Sequence, residues 1–454
     1  MSVAQWFKGI SLRRPPAPAA SPSEAPAPER VYLPLRQHRG DVCEPQVQPG
    51  DQVALGQIIG SSESIEAALV HATVSGKVEQ IIDISDAEGH PTPTVVIQND
   101  GKDAWAAPDA DALIIDNADQ VLQTKPSHLL KAIRKAGLVR AAAHGLPMQA
   151  ELSPPMAPRS YLFMTGIPVV RTIDTLIVKA VDADQPIIPN QAGLAGFGAE
   201  LEIGIAAVAR ICGAQKVIIA AAKGADLGQL PQIAAAREWS ISQVNGCHYP
   251  FGLDSMIINA LTGREVPTPY GEPRDVGVLI EPLATILDVG RVLRTGRPVI
   301  DRLFTVAGDV AKPQTFRARL GTPMAEMIKA AGGASGQPGK VIIGGPMMGM
   351  AHFDLNTPVT KESDGLFVIS LAKVQTFSGE PCIHCGRCVQ VCPVNLIPAE
   401  LGKMCQYGHY EEAADKDLMH CIECGCCAYV CPAKRPMVHL LRLGKTEVLA
   451  RRAE

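Results

Sequence analysis

Two cysteine runs near the C-terminal end constrain the fold more than any other feature of this sequence. Each run has the spacing C-x2-C-x2-C-x3-C-P, and ten of the 13 cysteines in the chain lie within residues 382–431. Zinc sites use separated C-x2-C pairs, and the few cysteines elsewhere argue against a disulfide framework. The spacing is typical of [4Fe–4S] ligation, so it predicts two such clusters. The eight predicted metal ligands are Cys382, Cys385, Cys388, Cys392, Cys421, Cys424, Cys427 and Cys431.

The spacing also predicts how the two runs share the clusters. Three closely spaced thiolates hold one face of a cluster, and the fourth cysteine of that run ligates the other cluster. We name the clusters by the run that supplies three ligands. Cluster one is predicted to use Cys382, Cys385, Cys388 and Cys431. Cluster two is predicted to use Cys421, Cys424, Cys427 and Cys392.

The remaining composition is that of an ordinary globular protein with several domains. The chain has 454 residues, which is too long for one core, and a formal net charge of −4, which does not indicate nucleic-acid binding. No uninterrupted apolar run is long enough for a transmembrane helix. Clusters of this kind are kept in reducing surroundings, so a cytoplasmic location is predicted.

The N-terminal part predicts a leader followed by a small β domain. Residues 1–30 form an expected leader and Pro-rich linker, with Trp6, Phe7 and Ile10 as a possible short membrane-interface anchor. An unstructured leader is the interpretation that the short length favours. Residues 31–120 alternate short apolar segments with glycine turns, which predicts a β-sandwich similar to biotinyl and lipoyl carrier domains.

The middle of the chain predicts α/β structure. A strand over 175–181, a helix over 200–212 and a strand over 216–222 indicate a parallel sheet within a domain at 121–270. Residues 271–365 are expected to form a separate β-grasp-like ligand-binding unit, and 366–454 the dicluster ferredoxin-like domain. The Gly-rich segment 344–349 either approaches a ligand or packs tightly on a neighbouring strand, because glycine permits both.

The order of these parts resembles the RnfC family, whose members belong to the Rnf/Rsx ion-translocating electron transport complex. Beside the cysteine runs, the resemblance is carried by segments 35–40, 71–78, 249–257, 302–308 and 344–349. It implies a peripheral subunit on the cytoplasmic face of the inner membrane, with a middle domain similar to the flavin subunit of complex I. It also implies two kinds of partner, namely other subunits of the complex and a soluble ferredoxin or nicotinamide donor. No nucleic-acid partner is implied.

One departure from the family concerns FMN and NADH. The family has a Gly-rich loop at this point, whereas residues 137–149 here contain Arg140, three alanines and His144, with Gly145 and Pro147 as the plausible matches. Glycines let backbone N–H groups approach a phosphate, and the substitutions would crowd that approach. The family's acidic segment is also altered, although Asp182 and Asp184 could replace its glutamates. These changes argue against FMN and NADH binding in the family's manner.

Three functions follow from the sequence. The first is an electron-transfer subunit that relays electrons through both clusters between a soluble donor or acceptor and flavin-bearing membrane subunits. The second is an intact NADH-oxidising FMN subunit of the same complex. The third is a structural adaptor in which the clusters only stabilise the C-terminal domain. Two clusters in one small domain form a path for electrons, which favours the relay.

Overall fold

The structure is a computed structural model, and it describes residues 8–12, 19–85, 89–142, 145–153, 172–194, 198–244, 248–269 and 271–453. Trp6, Phe7, Ala143 and His144, which were singled out above, lie outside these residues. Among the described residues, no helix is both long and apolar enough to cross a membrane.

The N-terminal part contains two short strands followed by a β-sandwich. The strands are β1 (Ile10–Ser11), β2 (Ala19–Glu24), β3 (Arg30–Pro34), β4 (Glu44–Pro45), β5 (Gln52–Val53), β6 (Ile58–Ser61), β7 (Val70–His71), β8 (Gly76–Ser85) and β9 (Pro91–Asn99). One sheet has the order β3-β9-β8-β5 and the other β4-β6-β7. Alternate residues such as Val31, Leu33 and Ile97 are fully buried between them. The two sheets and their shared core agree with the predicted β-sandwich.

The next layer is a parallel sheet covered by helices. Its elements are α1 (Ala118–Gln123), α2 (Pro126–Lys135), α3 (Met148–Leu152), β10 (Thr175–Ala180), α4 (Pro189–Ala192), α5 (Gly198–Cys212), β11 (Lys216–Ala222), α6 (Leu230–Ala236), β12 (Ser240–Val244), β13 (His248–Tyr249), α7 (Asp254–Thr262), β14 (Val278–Pro282) and α8 (Leu283–Thr295). A 3-10 turn at Pro273–Val276 precedes β14. The four long strands are parallel in the order β12-β11-β10-β14. Every residue of β10 is buried, as expected for a central strand with helices on both faces.

This sheet corrects the predicted domain boundary at residue 270. Strand β14 pairs with β10, and α8 packs against α5 in the core of the same layer. The α/β layer therefore extends to about Thr295. Strand–helix alternation continues across the predicted boundary, and the sequence contains no linker there that would have marked the true end.

A mixed six-stranded sheet follows. Its elements are β15 (Asp301–Gly308), β16 (Gln314–Arg319), α9 (Met324–Ala330), β17 (Pro338–Ile343), β18 (Met350–His352) and β19 (Gly365–Ser370), with a 3-10 turn at Leu371–Lys373. The sheet order is β18-β17-β19-β15-β16-β2. Strand β19 runs through Ser370, past the predicted boundary at 365.

The predicted leader and linker are partly ordered. Strand β2 pairs in parallel with the edge strand β16, and β1 pairs with β13. Ile10 is buried against Tyr249. An unstructured leader is therefore wrong for residues 10–11 and 19–24, because a strand edge supplies the hydrogen bonds and contacts that this Pro/Ala/Ser-rich segment lacks by itself.

The C-terminal domain is helical. It contains α10 (Arg387–Val391), α11 (Pro398–Gln406), α12 (Tyr410–Asp415), a 3-10 turn at Leu418–His420, α13 (Cys426–Tyr429) and α14 (Met437–Ala453). Helices α10 and α13 each begin inside a cysteine run, and α11 and α12 lie between the runs. The long helix α14 packs on α11 and α12.

Candidate iron–sulfur site and the neighbouring sheet crevice

The two cysteine runs repeat one backbone conformation. The residue before the second cysteine has a positive φ in both runs, at 55° for His384 and 54° for Glu423. The residue after it is Gly386 or Gly425, with φ of 72° and 79° and a helix directly following. Left-handed residues on both sides of the second cysteine turn the chain sharply, and glycine adopts this conformation without strain. Each run therefore forms a tight loop that contains its first two cysteines, and the third, Cys388 or Cys427, lies in the short helix that follows.

The loops bring cysteines from both runs together. One cavity is lined by Cys392 from the first run and by Cys421, Cys424, Cys426 and Cys427 from the second. All four side chains that the spacing assigns to cluster two are among them. Burial raises the pKa of Cys421 to about 11, and burial together with neighbouring thiolates also raises the pKa of Cys427. Burial and mutual repulsion make free thiolates unfavourable at these positions. Ligation to iron offsets both effects, because the metal neutralises the negative charge on sulfur.

Backbone N–H groups point at several ligand sulfur atoms. Leu396 N lies 3.3 Å from Cys392 Sγ, Glu423 N lies 3.4 Å from Cys421 Sγ, and His384 N lies 3.4 Å from Cys382 Sγ. Hydrogen bonds of this kind stabilise negative charge on sulfur and help to set the reduction potential of a cluster. The residues present therefore fit iron–sulfur clusters. Among the described residues, no group of three or more His, Cys, Asp or Glu side chains is arranged to hold a single metal ion.

The two predicted ligand sets differ in exposure. In the set for cluster two, Cys392, Cys424 and Cys427 are buried. In the set for cluster one, Cys385 is exposed and the other three cysteines are half-buried. Cys405 and Cys426, which lie outside the ligand spacing, are fully buried. Cys405 lies in the apolar core of this domain, whereas Cys426 lies beside Cys424 at the cavity.

Cluster two is enclosed by distant parts of the chain. Ile10 of β1, Tyr249 of β13 and the loop residues Met347 and Met348 pack around Cys424 and Cys426. The Tyr249 hydroxyl donates a hydrogen bond of 2.6 Å to the Cys424 carbonyl oxygen. The loop at 344–349 thus approaches the second cysteine run. The sequence left open whether this loop approaches a ligand or packs tightly on a neighbouring strand. In the structure it packs beside Cys424, a predicted ligand of cluster two.

The two aspartates considered as replacements for the family's glutamates are engaged by the protein itself. Asp184 Oδ2 accepts hydrogen bonds of 2.8 Å from the N–H groups of Met347 and Met348. Asp182 accepts hydrogen bonds from the backbone N–H groups of Asn190 and Gln191 and from the Asn190 side chain. Burial raises the pKa of each carboxyl to about 7. Asp184 therefore holds the loop that covers cluster two.

The parallel sheet has a topological switch point between β10 and β14. The chain passes from β10 outward to β11 and β12, then returns to the other side of β10 as β14. Ligands of open α/β sheets bind at the carboxyl ends of the strands on either side of such a point. Here the ends are occupied by Lys179 of β10 and Glu281 of β14.

A network of charged side chains fills this crevice. Asp254 forms ion pairs with Arg140 and, at 2.5 Å, with Lys179 Nζ. Although burial alone would raise it, Lys179 and Arg140 together lower the pKa of Asp254 well below its usual range. Glu281 is fully buried, 3.7 Å from Arg140 Nε, and makes no hydrogen bond within the described residues, so burial raises its pKa. Arg140, one of the residues that set this loop apart in the sequence, thus binds Asp254 of α7.

The N-terminus of α8, which begins beside the crevice, is also satisfied internally. Ala284 N donates to Asn190 Oδ1 at 3.1 Å, and Thr285 Oγ1 accepts from Ala141 N at 2.8 Å. A helix N-terminus binds phosphate through free N–H groups, and here one such group is already used by a side chain. Among the described residues, side chains at this crevice thus bind one another and the start of α8. That FMN and NADH do not bind in the family's manner stays a prediction.

Family models match three parts of the chain. The RnfC barrel sandwich hybrid domain matches residues 13–102, the SLBB domain matches residues 303–351, and the 4Fe-4S dicluster domain matches residues 381–434. The last match confirms the prediction of two [4Fe–4S] clusters. The first agrees with the observed sandwich.

Curated relatives match almost the whole chain. A subunit of the proton-translocating ferredoxin:NAD(+) oxidoreductase complex of Clostridium ljungdahlii is 33% identical, over 93% of this chain and 89% of the relative. A subunit of the Na(+)-translocating complex of Acetobacterium woodii is 32% identical, over 96% of both chains. An NAD+-reducing [NiFe]-hydrogenase matches with a TM-score of 0.46 and 18% identity, over 74% of this chain and 63% of that one. The chain belongs to the RnfC family of subunits of ion-translocating oxidoreductase complexes.

Proposed function

We propose that this chain is the electron-transfer subunit of a membrane-bound, Rnf-type ion-translocating oxidoreductase. It relays electrons through two [4Fe–4S] clusters between a soluble donor or acceptor and the flavin-bearing membrane subunits. The observation that carries this proposal is the cavity at which Cys392 of the first run meets three cysteines of the second. The crossed ligation expected of a two-cluster domain needs this meeting.

The proposed ligands are Cys382, Cys385, Cys388 and Cys431 for cluster one, and Cys421, Cys424, Cys427 and Cys392 for cluster two. When bound, the clusters supply one-electron redox chemistry. The protein's own part is to hold the thiolates, to donate backbone N–H groups to sulfur and to exclude water around cluster two. The chain acts as a peripheral subunit on the cytoplasmic face of the inner membrane, with the other subunits of the complex as partners.

The proposed domain division follows the sequence prediction with the limits moved to the observed elements. A leader precedes a β-sandwich at about 30–120. An α/β layer continues to Thr295, a β-grasp-like sheet runs from 301 to 370, and the dicluster domain follows it. Family-model matches to the sandwich, to part of the β-grasp-like sheet and to the cysteine runs support this division.

The second candidate is an intact NADH-oxidising FMN subunit. The ion pairs of Arg140, Lys179 and Asp254 count against it, because they occupy the strand ends at which a nucleotide would bind. The third candidate is a structural adaptor, and the exposure of Cys385 counts against it. A cluster that only stabilises the fold does not need a solvent-exposed ligand.

An anaerobic titration separates these candidates. The full chain is purified without oxygen, and flavin and iron–sulfur absorbance are followed during addition of NADH and then of dithionite. We expect no response to NADH, no FMN released on denaturation, and reduction of both clusters by dithionite. Bleaching by NADH with release of FMN would overturn the relay in favour of the second candidate. Clusters that dithionite cannot reduce would favour the adaptor.

A further inference from the structure

We propose that Asp184 takes up a proton when cluster two is reduced, which couples an electron transfer of the relay to a protonation inside the protein. The inference rests on the relay function proposed above and deepens it, because it names the residue that makes the potential of cluster two depend on pH. Cluster two gains one electron from a one-electron donor, which is oxidised. One O–H bond forms at Asp184 and one breaks in the hydronium ion that supplies the proton.

The carboxyl group of Asp184 has one bonded oxygen and one free oxygen. Oδ2 accepts hydrogen bonds of 2.8 Å from the N–H groups of Met347 and Met348. Oδ1 is buried and makes no hydrogen bond within the residues that the structure describes. The residue is 8% exposed, and burial raises its pKa to about 7. A proton can therefore bind at Oδ1 near neutral pH while Oδ2 keeps both of its donors.

The loop that Asp184 anchors contacts the second cysteine run. A Cβ added at Gly425 would lie 3.2 Å from the Met347 carbonyl oxygen and 3.3 Å from Met347 Cε. Gly425 directly follows Cys424, a predicted ligand of cluster two. Met347 therefore contacts Asp184 through its N–H group and the ligand loop through its carbonyl oxygen and side chain.

A second connection runs through Tyr249. Its hydroxyl donates a hydrogen bond of 2.6 Å to the Cys424 carbonyl oxygen. Burial and the negative charges of Asp184 and Cys424 raise the pKa of Tyr249, so the phenol stays protonated. Both negative groups thus lie within electrostatic range of this one side chain. Protein between two charges screens their interaction less than water does, so charge on cluster two acts on Asp184.

Few other charges act on Asp184. Asp364, directly before β19, raises the pKa of Asp184 further, and Arg302 and Lys179 offset part of the charge of Asp364. No Lys or Arg among the described residues forms an ion pair with Asp184. Asp254 differs, because two cations hold its pKa below the usual range. Asp184 can therefore change its protonation in response to cluster two, whereas Asp254 stays ionised.

Reduction adds one negative charge to cluster two. This charge disfavours a nearby carboxylate, so the proton affinity of Asp184 rises when the cluster is reduced. The coupling is reciprocal, so a proton on Asp184 makes the cluster easier to reduce. For two charges separated by a layer of protein, we expect proton affinity to change about tenfold, which corresponds to about 59 mV for a one-electron couple.

The test measures the potential of cluster two in the full-length holoprotein as a function of pH. Anaerobic redox titrations from about pH 6 to about pH 9 are followed by EPR. The signal of cluster two is the one that remains in Cys388→Ser, which lacks a proposed ligand of cluster one. Asp184→Asn has the same shape and keeps an oxygen that can accept from the loop, but it takes up no proton in this range. The matched control is Asp288→Asn on α8, which removes another buried carboxyl whose pKa is raised by burial, to about 6.

We expect the wild-type potential of cluster two to fall by about 59 mV in total from acid to alkaline pH. The potential of Asp184→Asn should not change with pH and should stay near the acid value of the wild type, because its side chain is always neutral. Asp288→Asn should follow the wild type. Reduced-minus-oxidised infrared spectra at about pH 7.5 should show the C=O band of a newly protonated carboxyl in the wild type and not in Asp184→Asn.

A wild-type potential that does not change with pH would overturn the proton uptake while leaving the relay intact. The same holds if the pH dependence and the carboxyl band both persist in Asp184→Asn. Asp184→Ser, whose hydroxyl can also accept from the loop, is a second variant without a titrating group and decides the question if Asp184→Asn does not keep its iron. Failure of dithionite to reduce the wild-type clusters would instead overturn the relay itself.

Discussion

The dicluster domain and the crevice of the parallel sheet are two places at which a redox group could sit, and they differ in whether their polar groups are satisfied. In the dicluster domain, cysteines from two runs face one cavity, and backbone N–H groups point at sulfur. In the crevice, Arg140, Lys179 and Asp254 satisfy one another. A site can bind a cofactor only if its residues keep hydrogen-bond donors or metal ligands that are not already paired within the protein. The α/β topology by itself therefore does not show whether a cofactor binds.

The largest effect is expected in the dicluster domain. Cys388→Ser removes one proposed ligand of cluster one, so we expect roughly half of the iron to be lost and electron transfer to a partner to be abolished. Iron analysis and EPR of the reduced protein measure this. Cys405→Ser is the matched control, because Cys405 is buried in the same domain but lies outside the ligand sets. Equal iron loss in both variants would contradict the ligand assignment.

The crevice side is tested by Asp254→Asn. This change leaves the Arg140 and Lys179 charges without their shared carboxylate, and we expect a loss of about 3 kcal/mol in the free energy of unfolding. The value is at the low end for a buried ion pair because the Asp254 side chain is 26% exposed. Asp109→Asn, which breaks a surface pair with Lys135, should cost much less, because solvent screens an exposed pair. Equal costs would mean that the crevice network is no stronger than a surface pair.

The same variant predicts a pH dependence. Lys179 and Arg140 overcome the effect of burial and lower the pKa of Asp254 in the folded protein. Its contribution to stability is therefore fully present above the unfolded pKa of about 4 and is lost as the pH falls through the lower folded value. We expect the difference in unfolding free energy between wild type and Asp254→Asn to be constant near neutral pH and to shrink in acid. A difference that grew in acid would contradict this assignment.

A smaller effect is expected where the two regions meet. A Cβ added at Gly345 would overlap the carboxyl group of Asp184, so Gly345→Ala should displace the loop from its anchor and cost about 2 kcal/mol. Exposure to water favours the more negative reduced cluster, so the reduction potential of cluster two should rise. Gly336→Ala is the control, since its Cβ would meet no atom closer than 3.7 Å. An EPR-monitored redox titration with unchanged potentials would show that the loop does not control solvent access.

The smallest effect concerns one hydrogen bond. Tyr249→Phe leaves the Cys424 carbonyl oxygen without the hydroxyl that donates to it at 2.6 Å, and we expect a cost of about 1 kcal/mol in unfolding free energy. Tyr429→Phe removes an exposed hydroxyl near cluster one and should change stability by less than about 0.5 kcal/mol. Urea denaturation of the anaerobic holoproteins compares them. A larger cost at Tyr429 would mean that the face of cluster one is less open than its exposure indicates.

Short-range patterns in the sequence predicted much of this molecule. The fixed spacing of the cysteines reveals the clusters, and the strands around Thr175 and Lys216 follow from continuous apolar runs. The unusual residues of the loop at 137–149, Arg140 among them, were also visible in the sequence, and the prediction about FMN and NADH rests on them. Each of these signals lies within a few neighbouring residues.

The features that were missed depend on contacts between distant residues. Arg140, Lys179, Asp254 and Glu281 come from four separate elements, and no local pattern shows that they meet. The role of Asp184 as an anchor needs the loop at 347–348 to be placed beside it. Strand β2 has a composition typical of a linker, and the edge of a remote sheet gives it its structure.

The pairing of β2 with β16 affects the order in which the protein folds. Ala19 lies opposite Gln314, and Ile10 lies opposite Tyr249, so these residues find their partners only after more than 200 later residues have been made. Contacts so far apart along the chain form late and slowly. Until then the edge of β16 and the cover over cluster two are open. The clusters can therefore be inserted before β1 pairs with β13 and before β2 pairs with β16.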